Sequence, residues 1–237
     1  MKLSFAAVLL LIAVSASAQQ SFSADEVQTY SLEANNLIDA LLKMSAQFQF
    51  SLGVEWVKSA ETLKPVRVTR SHTTVPDIIQ AVVSTYAGYE WRNEDGVVHV
   101  FQRDLMPDTR NPLNITIKSF DDPPETVGWA NNNLFQMVSH VVRHPELSGI
   151  SGSVLGGPGE PVFRFAAENA PARIILNQIV TSGTRTTPPT PRMNRIWIAT
   201  FPETPAFSRT GFLEVVPMWN PKFVLRRSHL AMFSGGG

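Results

Sequence analysis

The sequence predicts an α+β protein in which small mixed sheets pack against helices, with strand–helix–strand units in both halves. Two observations support this fold class. Segments with apolar residues at three- and four-residue spacing, typical of helices, alternate with segments in which every second residue is apolar, typical of strands. In addition, the 17 prolines concentrate after Leu105. We therefore predict a first domain at 27–103, a linker at 104–112, and a second α+β domain at 113–233.

The first half begins with a strand, a helix and a second strand. Residues 27–32 are rich in β-favouring side chains, and residues 50–56 return to strand character. Between them, apolar residues at helical spacing predict a helix over 37–49, capped by Asn35 or Asn36.

A second helix is indicated by Thr74 and Asp77, which have the spacing of a capping box, with Pro76 in the first turn. The alternating residues 66–70 before it predict a strand with one wet face. Residues 89–92 and 97–101 predict a hairpin around the Asp95–Gly96 turn.

The run Tyr30-Ser31-Leu32-Glu33-Ala34, followed by Leu37-Ile38-Asp39-Ala40-Leu41, resembles the opening of the STN domain, the short domain at the N-terminus of secretins and TonB-dependent receptors. The helix at 75–86, the Gly88-Tyr89-Glu90-Trp91 run and the closing strand at 97–101 add to the resemblance. The resemblance covers about a third of the chain. It implies a periplasmic docking module without catalytic residues. No secretin pore, receptor plug or β-barrel pattern follows, so the partners of that family are not carried over.

The second half repeats this order of elements. Residues 113–117 predict a strand, and residues 121–144 predict a helix that starts at Asp121–Asp122 and stops before Pro145. Residues 161–165, 169–180 and 195–199 predict a strand, a helix and a strand, which together form a degenerate strand–helix–strand unit at 161–200. Kinship with the unit at 66–101 and chance similarity both remain open. Residues 212–216 and 222–226 predict two edge strands.

The first 18 residues predict a signal peptide, because Lys2 precedes an apolar run and an Ala16-Ser17-Ala18 cleavage site. The expected location is therefore the periplasm or the exterior, with no membrane span after cleavage and a mature protein that begins at Gln19. The chain has no cysteine, which excludes disulfides and a lipobox. Its 20 basic and 20 acidic residues argue against nucleic acid as a partner.

Two histidines are the only candidates for a metal site. His140 and His144 lie four residues apart, so one helix face would carry both rings. A site needs more ligands, and no further ligand completes a pattern nearby. The alternative is a helix end whose negative dipole favours histidine. No metal, catalytic or cofactor-binding residue is therefore assigned.

Two further features suggest partner contacts rather than chemistry. Arg67 and Arg70, on the wet side of a predicted strand, are candidate partner-binding residues, although exposed arginines are also ordinary on a solvated surface. The glycine-rich stretch 149–159 lacks the lysine of a phosphate loop and the pattern of a nucleophile elbow. We interpret it as a surface loop.

The sequence thus predicts an exported, non-enzymatic, cofactor-free protein that docks an envelope partner in the periplasm. Two alternatives remain: an exported hydrolase, or a small-ligand-binding protein, with an unrecognised site between the two halves.

Overall fold

The computed structural model describes residues 26–109, 111–121, 123–124, 162–182, 195–202 and 212–217, and five single positions between 130 and 138. The predicted α+β class is confirmed. The strands are β1 (Val27–Ala34), β2 (Ser51–Lys58), β3 (Val66–Thr73), β4 (Tyr89–Glu94), β5 (Val97–Gln102), β6 (Thr116–Asp121), β7 (Ala166–Pro171), β8 (Arg195–Pro202) and β9 (Phe212–Pro217). The helices are α1 (Leu37–Phe48), α2 (Val75–Val83) and α3 (Ala172–Thr181), with a short 3₁₀ helix at Pro112–Asn114.

The described strands form three sheets. Strands β1 and β3 pair antiparallel, and β6 and β7 do the same. The third sheet has five strands in the order β4-β5-β2-β8-β9. Strand β2 is parallel to both neighbours, β5 and β8. Because β8 comes from the second half, this sheet crosses the boundary predicted between the two halves.

Local sequence explains the two helices of the first half. The side chain of Asn36 accepts a hydrogen bond from the backbone N–H of Asp39, which caps α1. Thr74 and Asp77 form the predicted capping box of α2, with Pro76 in its first turn. Each cap satisfies backbone donors that have no partner inside the helix, and it therefore sets where the helix begins.

The five-stranded sheet lies between two hydrophobic cores. Leu52 and Val54 of β2 belong to the core that contains α1 and α2. Val57 of β2 belongs to the core that contains α3. Since successive side chains of a strand point to opposite faces, helices of the first half cover one face and α3 covers the other. Strand β2 is accordingly buried on both faces, as parallel strands usually are.

The second half departs from the prediction at two strands. The strand predicted at 113–117 is replaced by the 3₁₀ helix and then β6, which extends to Asp121. The strand predicted at 161–165 begins five residues later, as β7. Asn169, predicted to lie in the helix, is in β7, and α3 starts at Ala172. Pairing with β6 selects the alanine-rich segment 166–171 despite its weak intrinsic preference for a strand.

Several predicted features lie outside the described residues. They are the signal peptide, His140, His144, the 149–159 stretch and the strand predicted at 222–226. The described positions Ala130, Leu134 and Val138 are helical and buried, in the region where a helix is predicted.

The two halves share a detailed geometry. For this comparison, β1–β5 with α1 and α2 form the N-terminal unit, and β6–β9 with α3 form the C-terminal unit. In the N-terminal unit, the indole Nε1 of Trp91 donates to Gln80 Oε1 at 3.0 Å. In the C-terminal unit, Trp197 Nε1 donates to Asn177 Oδ1 at 2.9 Å. Each tryptophan is the third residue of its strand, and that strand is the first of an antiparallel pair.

The strand that precedes each helix provides a second match. His72 in β3 has a φ of 48° and Asn169 in β7 a φ of 49°. Each lies three residues before its helix begins, at Val75 and at Ala172. Left-handed backbone is uncommon for residues other than glycine, so its recurrence at equivalent positions is informative. The two units therefore share one strand–helix–strand design.

Candidate functional site

A cluster of charged and polar side chains lies between the two units, on the α3-facing side of the five-stranded sheet. Strand β2 supplies Glu55, β5 supplies His99, and α3 supplies Arg173. The connection between the units adds Asn111. Glu55, His99 and Asn111 are 0% exposed and Arg173 is 4% exposed.

Glu55 is the centre of this cluster, because both of its carboxylate oxygens accept hydrogen bonds. Oε1 accepts from Arg173 Nε at 2.6 Å and lies 3.0 Å from His99 Nε2. Oε2 accepts from Asn111 Nδ2 at 2.8 Å. Arg173 Nη2 also lies 2.6 Å from Oε1, as an ion-pair contact without hydrogen-bond alignment. Arg173 Nη1 donates to Asn114 Oδ1 at 2.6 Å.

His99 connects the buried Glu55 to Glu94, which is partly exposed. Its Nδ1 lies 3.0 Å from Glu94 Oε2, and the Glu94 side chain is 21% exposed. Glu94 also pairs with Arg92 at 2.6 Å. Each ring nitrogen of His99 therefore lies within hydrogen-bond distance of a carboxylate, Glu55 on one side and Glu94 on the other.

Electrostatics keep both carboxylates ionised. Burial acts to raise the pKa of Glu55, but the hydrogen bond with His99 and the charges of Arg173 and His99 lower it overall. Burial likewise opposes ionisation of Glu94, whose pKa is lowered by its hydrogen bond with His99 and by the charges of His99, Arg92 and Arg173. The buried charges are thus compensated within the cluster, as buried ion pairs require.

A glycine allows aromatic rings to pack beside the cluster. Gly53 of β2 is in register with His99 on one side and Trp197 on the other. The two rings lie 5.3 Å apart. A Cβ at Gly53 would come within 2.7 Å of Trp197 Nε1 and still closer to the ring carbons. The ring of Trp197 therefore occupies the space above Gly53.

The cluster contains the residue types that carry out acid–base catalysis, but its polar atoms are not accessible to a substrate. A general base must reach a substrate proton directly or through one water. Both ring nitrogens of His99 and both carboxylate oxygens of Glu55 contact protein groups, and both residues are fully buried. The geometry instead suits a structural clamp, in which one carboxylate joins β2, β5, α3 and the connecting segment.

The structure places the predicted partner-binding arginines on the outer strand β3. Arg67 is 80% exposed at its side chain and pairs across the strands with Glu33 at 2.6 Å. Arg70 is exposed, and its Nη1 donates to the carbonyl of Thr69. They lie in the two-stranded β1–β3 sheet, whereas the buried cluster lies on the five-stranded one.

Sequence reasoning did not identify the buried cluster. Its members stand out only as charges inside apolar patterns: Glu55 within 50–56, His99 within 97–101, and Arg173 within a helix of buried residues. A charge in a strand buried on both faces needs a partner, so this signal could have indicated a pair. In the described part of the chain, no group of three or more histidine, cysteine, aspartate or glutamate residues is placed to hold a metal ion.

Comparison with protein-family models, with characterised proteins and with solved structures finds no match to this chain. Within the described residues, no helix combines the length and apolar character needed to cross a membrane.

Proposed function

We propose that this protein is an exported, non-enzymatic docking protein that binds a protein partner in the periplasm of the bacterial envelope. The observation that carries the proposal is the repeated unit, recognised by the Trp91–Gln80 and Trp197–Asn177 hydrogen bonds. Repetition of one small α+β unit extends a surface without adding a chemical site, as in other repeat proteins that bind partners.

The buried cluster supports a docking function over the alternative of a hydrolase. Glu55, His99 and Arg173 lie between the two units, where the hydrolase alternative requires an active site, but their polar atoms contact one another. This clamp holds two units in a fixed relation, which lowers the entropic cost of presenting a continuous surface to a partner.

The signal-peptide pattern and the resemblance to STN domains give the proposed location and type of partner. Both come from the sequence, and both point to the envelope. Docking by the addition of a strand or by a helix face needs no cofactor, which agrees with the cofactor-free interpretation of the sequence.

The test is capture of a partner by the mature protein that begins at Gln19, followed by reconstitution. The tagged protein is crosslinked in living cells, the captured envelope protein is identified, and binding is measured again with both proteins purified. A variant that lacks the predicted first domain, 27–103, cannot serve as a control. It would also lose β2, the neighbour of β8 in the five-stranded sheet. We expect saturable binding at a fixed stoichiometry.

The competing enzyme hypothesis is tested in parallel with ester, peptide and glycoside substrates. If the wild-type protein turns over one of these substrates and the folded His99→Gln variant does not, the docking proposal is contradicted. Saturable binding of the purified partner by that same variant, without turnover by the wild type, would support it.

A further inference from the structure

We infer that Arg70 is a recognition residue of the docking surface, and that it binds an aspartate or glutamate side chain of the envelope partner. This inference rests on the proposed docking function and names a contact that performs it. Arg70 lies on β3, in the two-stranded β1–β3 sheet, and its side chain is exposed. A guanidinium group is always charged, and its planar set of N–H groups matches the geometry of a carboxylate.

The repeated unit distinguishes between the two arginines that are predicted to bind a partner. Arg67 lies eight residues before α2 begins, and Arg164 lies eight residues before α3 begins. Arg67 forms an ion pair with Glu33 of β1. Arg164 forms one with Asp121 of β6. Because both units contain an arginine–carboxylate pair at this position, we attribute Arg67 to the shared fold rather than to recognition.

Arg70 has no basic counterpart in the C-terminal unit. It lies five residues before α2 begins, and Ala167 lies five residues before α3 begins. Strand register supports this equivalence. Arg70 is opposite Tyr30 in the β1–β3 pair, and Ala167 is opposite Phe120 in the β6–β7 pair, so each faces an aromatic residue. The shared design therefore does not require a cation at this position, and we attribute Arg70 to recognition.

The hydrogen bonds of these arginines show which atoms of Arg70 can hold a carboxylate. In both Arg67 and Arg164, Nε and Nη2 donate to the carboxylate of the neighbouring strand. In Arg70, Nη1 donates to the carbonyl oxygen of Thr69 at 3.3 Å. Among the described residues, no acceptor contacts Nε or Nη2 of Arg70. The two atoms that bind a carboxylate in the other arginines are thus available in Arg70.

The charges around Arg70 favour a single carboxylate over a polyanion. On the same strand, Arg67 already contacts Glu33. His72 already contacts Glu26. Nucleic acids and anionic membranes bind through several cations at once, whereas this chain has equal numbers of basic and acidic residues, 20 of each. A lone arginine beside residues that are already paired fits one acidic side chain of a protein.

The experiment uses a displayed library of random seven-residue peptides, selected on the mature protein at low ionic strength. We expect the selected peptides to share an aspartate or glutamate, and their affinity to fall as added salt screens the charges. Selection on the variant Arg70→Glu should replace this acid by lysine or arginine. Peptides without a common acid, a consensus that Arg70→Glu leaves unchanged, or a selection that yields no binder would overturn the inference.

Arg67 and Arg70 provide a matched pair of variants on one strand. Arg70→Gln removes the charged donors, so peptide affinity should fall about tenfold. Arg67→Gln changes the net charge by the same amount but removes only an exposed ion pair, so affinity should stay within about threefold of wild type. Equal losses in the two variants would indicate a general effect of charge and would contradict binding at Arg70. Thermal unfolding of both variants checks that the fold is retained.

The same variants separate this inference from the proposed function. Loss of binding to the purified envelope partner with Arg70→Gln, but not with Arg67→Gln, supports both. Partner binding that is indifferent to Arg70→Gln leaves docking intact and overturns the assignment of Arg70. If Arg70→Gln instead abolishes self-association of the mature protein, or its binding to vesicles of anionic phospholipid, the occupant is a second copy or a membrane, and the inference is overturned.

Discussion

Arg173 and Glu55 are 118 residues apart in the sequence, yet Arg173 Nε lies 2.6 Å from Glu55 Oε1 in the interior. Glu55 belongs to the N-terminal unit and Arg173 to the C-terminal unit. Their ion pair is therefore a bond between the two units, made on the face of the sheet that α3 covers.

Substitution of Arg173 by methionine should destabilise the protein strongly. The change keeps much of the side-chain volume but leaves Glu55 buried without its cation. We expect a loss of about 3 to 5 kcal/mol in the free energy of unfolding, measured by urea denaturation. The double variant Glu55→Leu/Arg173→Met should lose clearly less than the sum of the single changes, because it removes both charges. Additive losses would show that the two residues are not coupled.

Stability should fall as the pH is lowered through the acid range. The pKa values of Glu55 and Glu94 are lowered in the fold. Ionised carboxylates therefore stabilise the protein above their ordinary pKa of 4.5, and this stabilisation is lost as the pH falls through the lower folded values.

Because Glu94 is partly exposed, a substitution at this position tests the pH dependence without removing a side chain from the core. Glu94→Gln should flatten the plot of unfolding free energy against pH below about 4.5, because it removes a carboxylate whose pKa is lowered in the fold. Superimposable plots for Glu94→Gln and wild type between pH 3 and 6 would count against the ionised cluster.

Gly53→Ala should destabilise the junction through Trp197. The added methyl would overlap the indole ring, which must move away from Asn177. We expect a cost of about 1 to 3 kcal/mol and a change in tryptophan fluorescence. Trp197→Phe, which shortens the ring system, should reduce the further cost of the alanine in a double variant. An unchanged melting temperature for Gly53→Ala would contradict the packing described.

The two equivalent amides provide an internal comparison. Asn177→Leu leaves the buried Trp197 indole without its acceptor and should cost about 1 to 2 kcal/mol. Gln80→Leu affects Trp91 at a more exposed position, where water can replace the amide, so its cost should stay within about 0.5 kcal/mol. Thermal melts of the two variants measure the difference. A larger loss for Gln80→Leu would mean that burial does not set the cost.

The sequence predicts the N-terminal unit well, because its signals are local. The Thr74–Asp77 capping box, the Asp95–Gly96 turn and the apolar spacing of α1 each involve neighbouring residues. It predicts the C-terminal unit less well. The alanine-rich β7 has little local preference for a strand, and only its pairing with β6 selects it.

The buried cluster is beyond local prediction for a similar reason. Contact between Glu55 and Arg173 depends on β8 joining β2, a parallel pairing between segments about 140 residues apart. No periodicity within either segment specifies that pairing. What the sequence does contain is a glutamate, a histidine and an arginine in apolar surroundings, which indicates buried partners without naming them.

The most direct test of this account is hydrogen–deuterium exchange across the shared sheet. If the two units form one body, the amides of β8 that face β2 should exchange as slowly as those of β2 that face β5, and Arg173→Met should accelerate both together. Exchange of β8 many times faster than β2 in the wild-type protein would show that the units open separately, and it would contradict the proposed clamp.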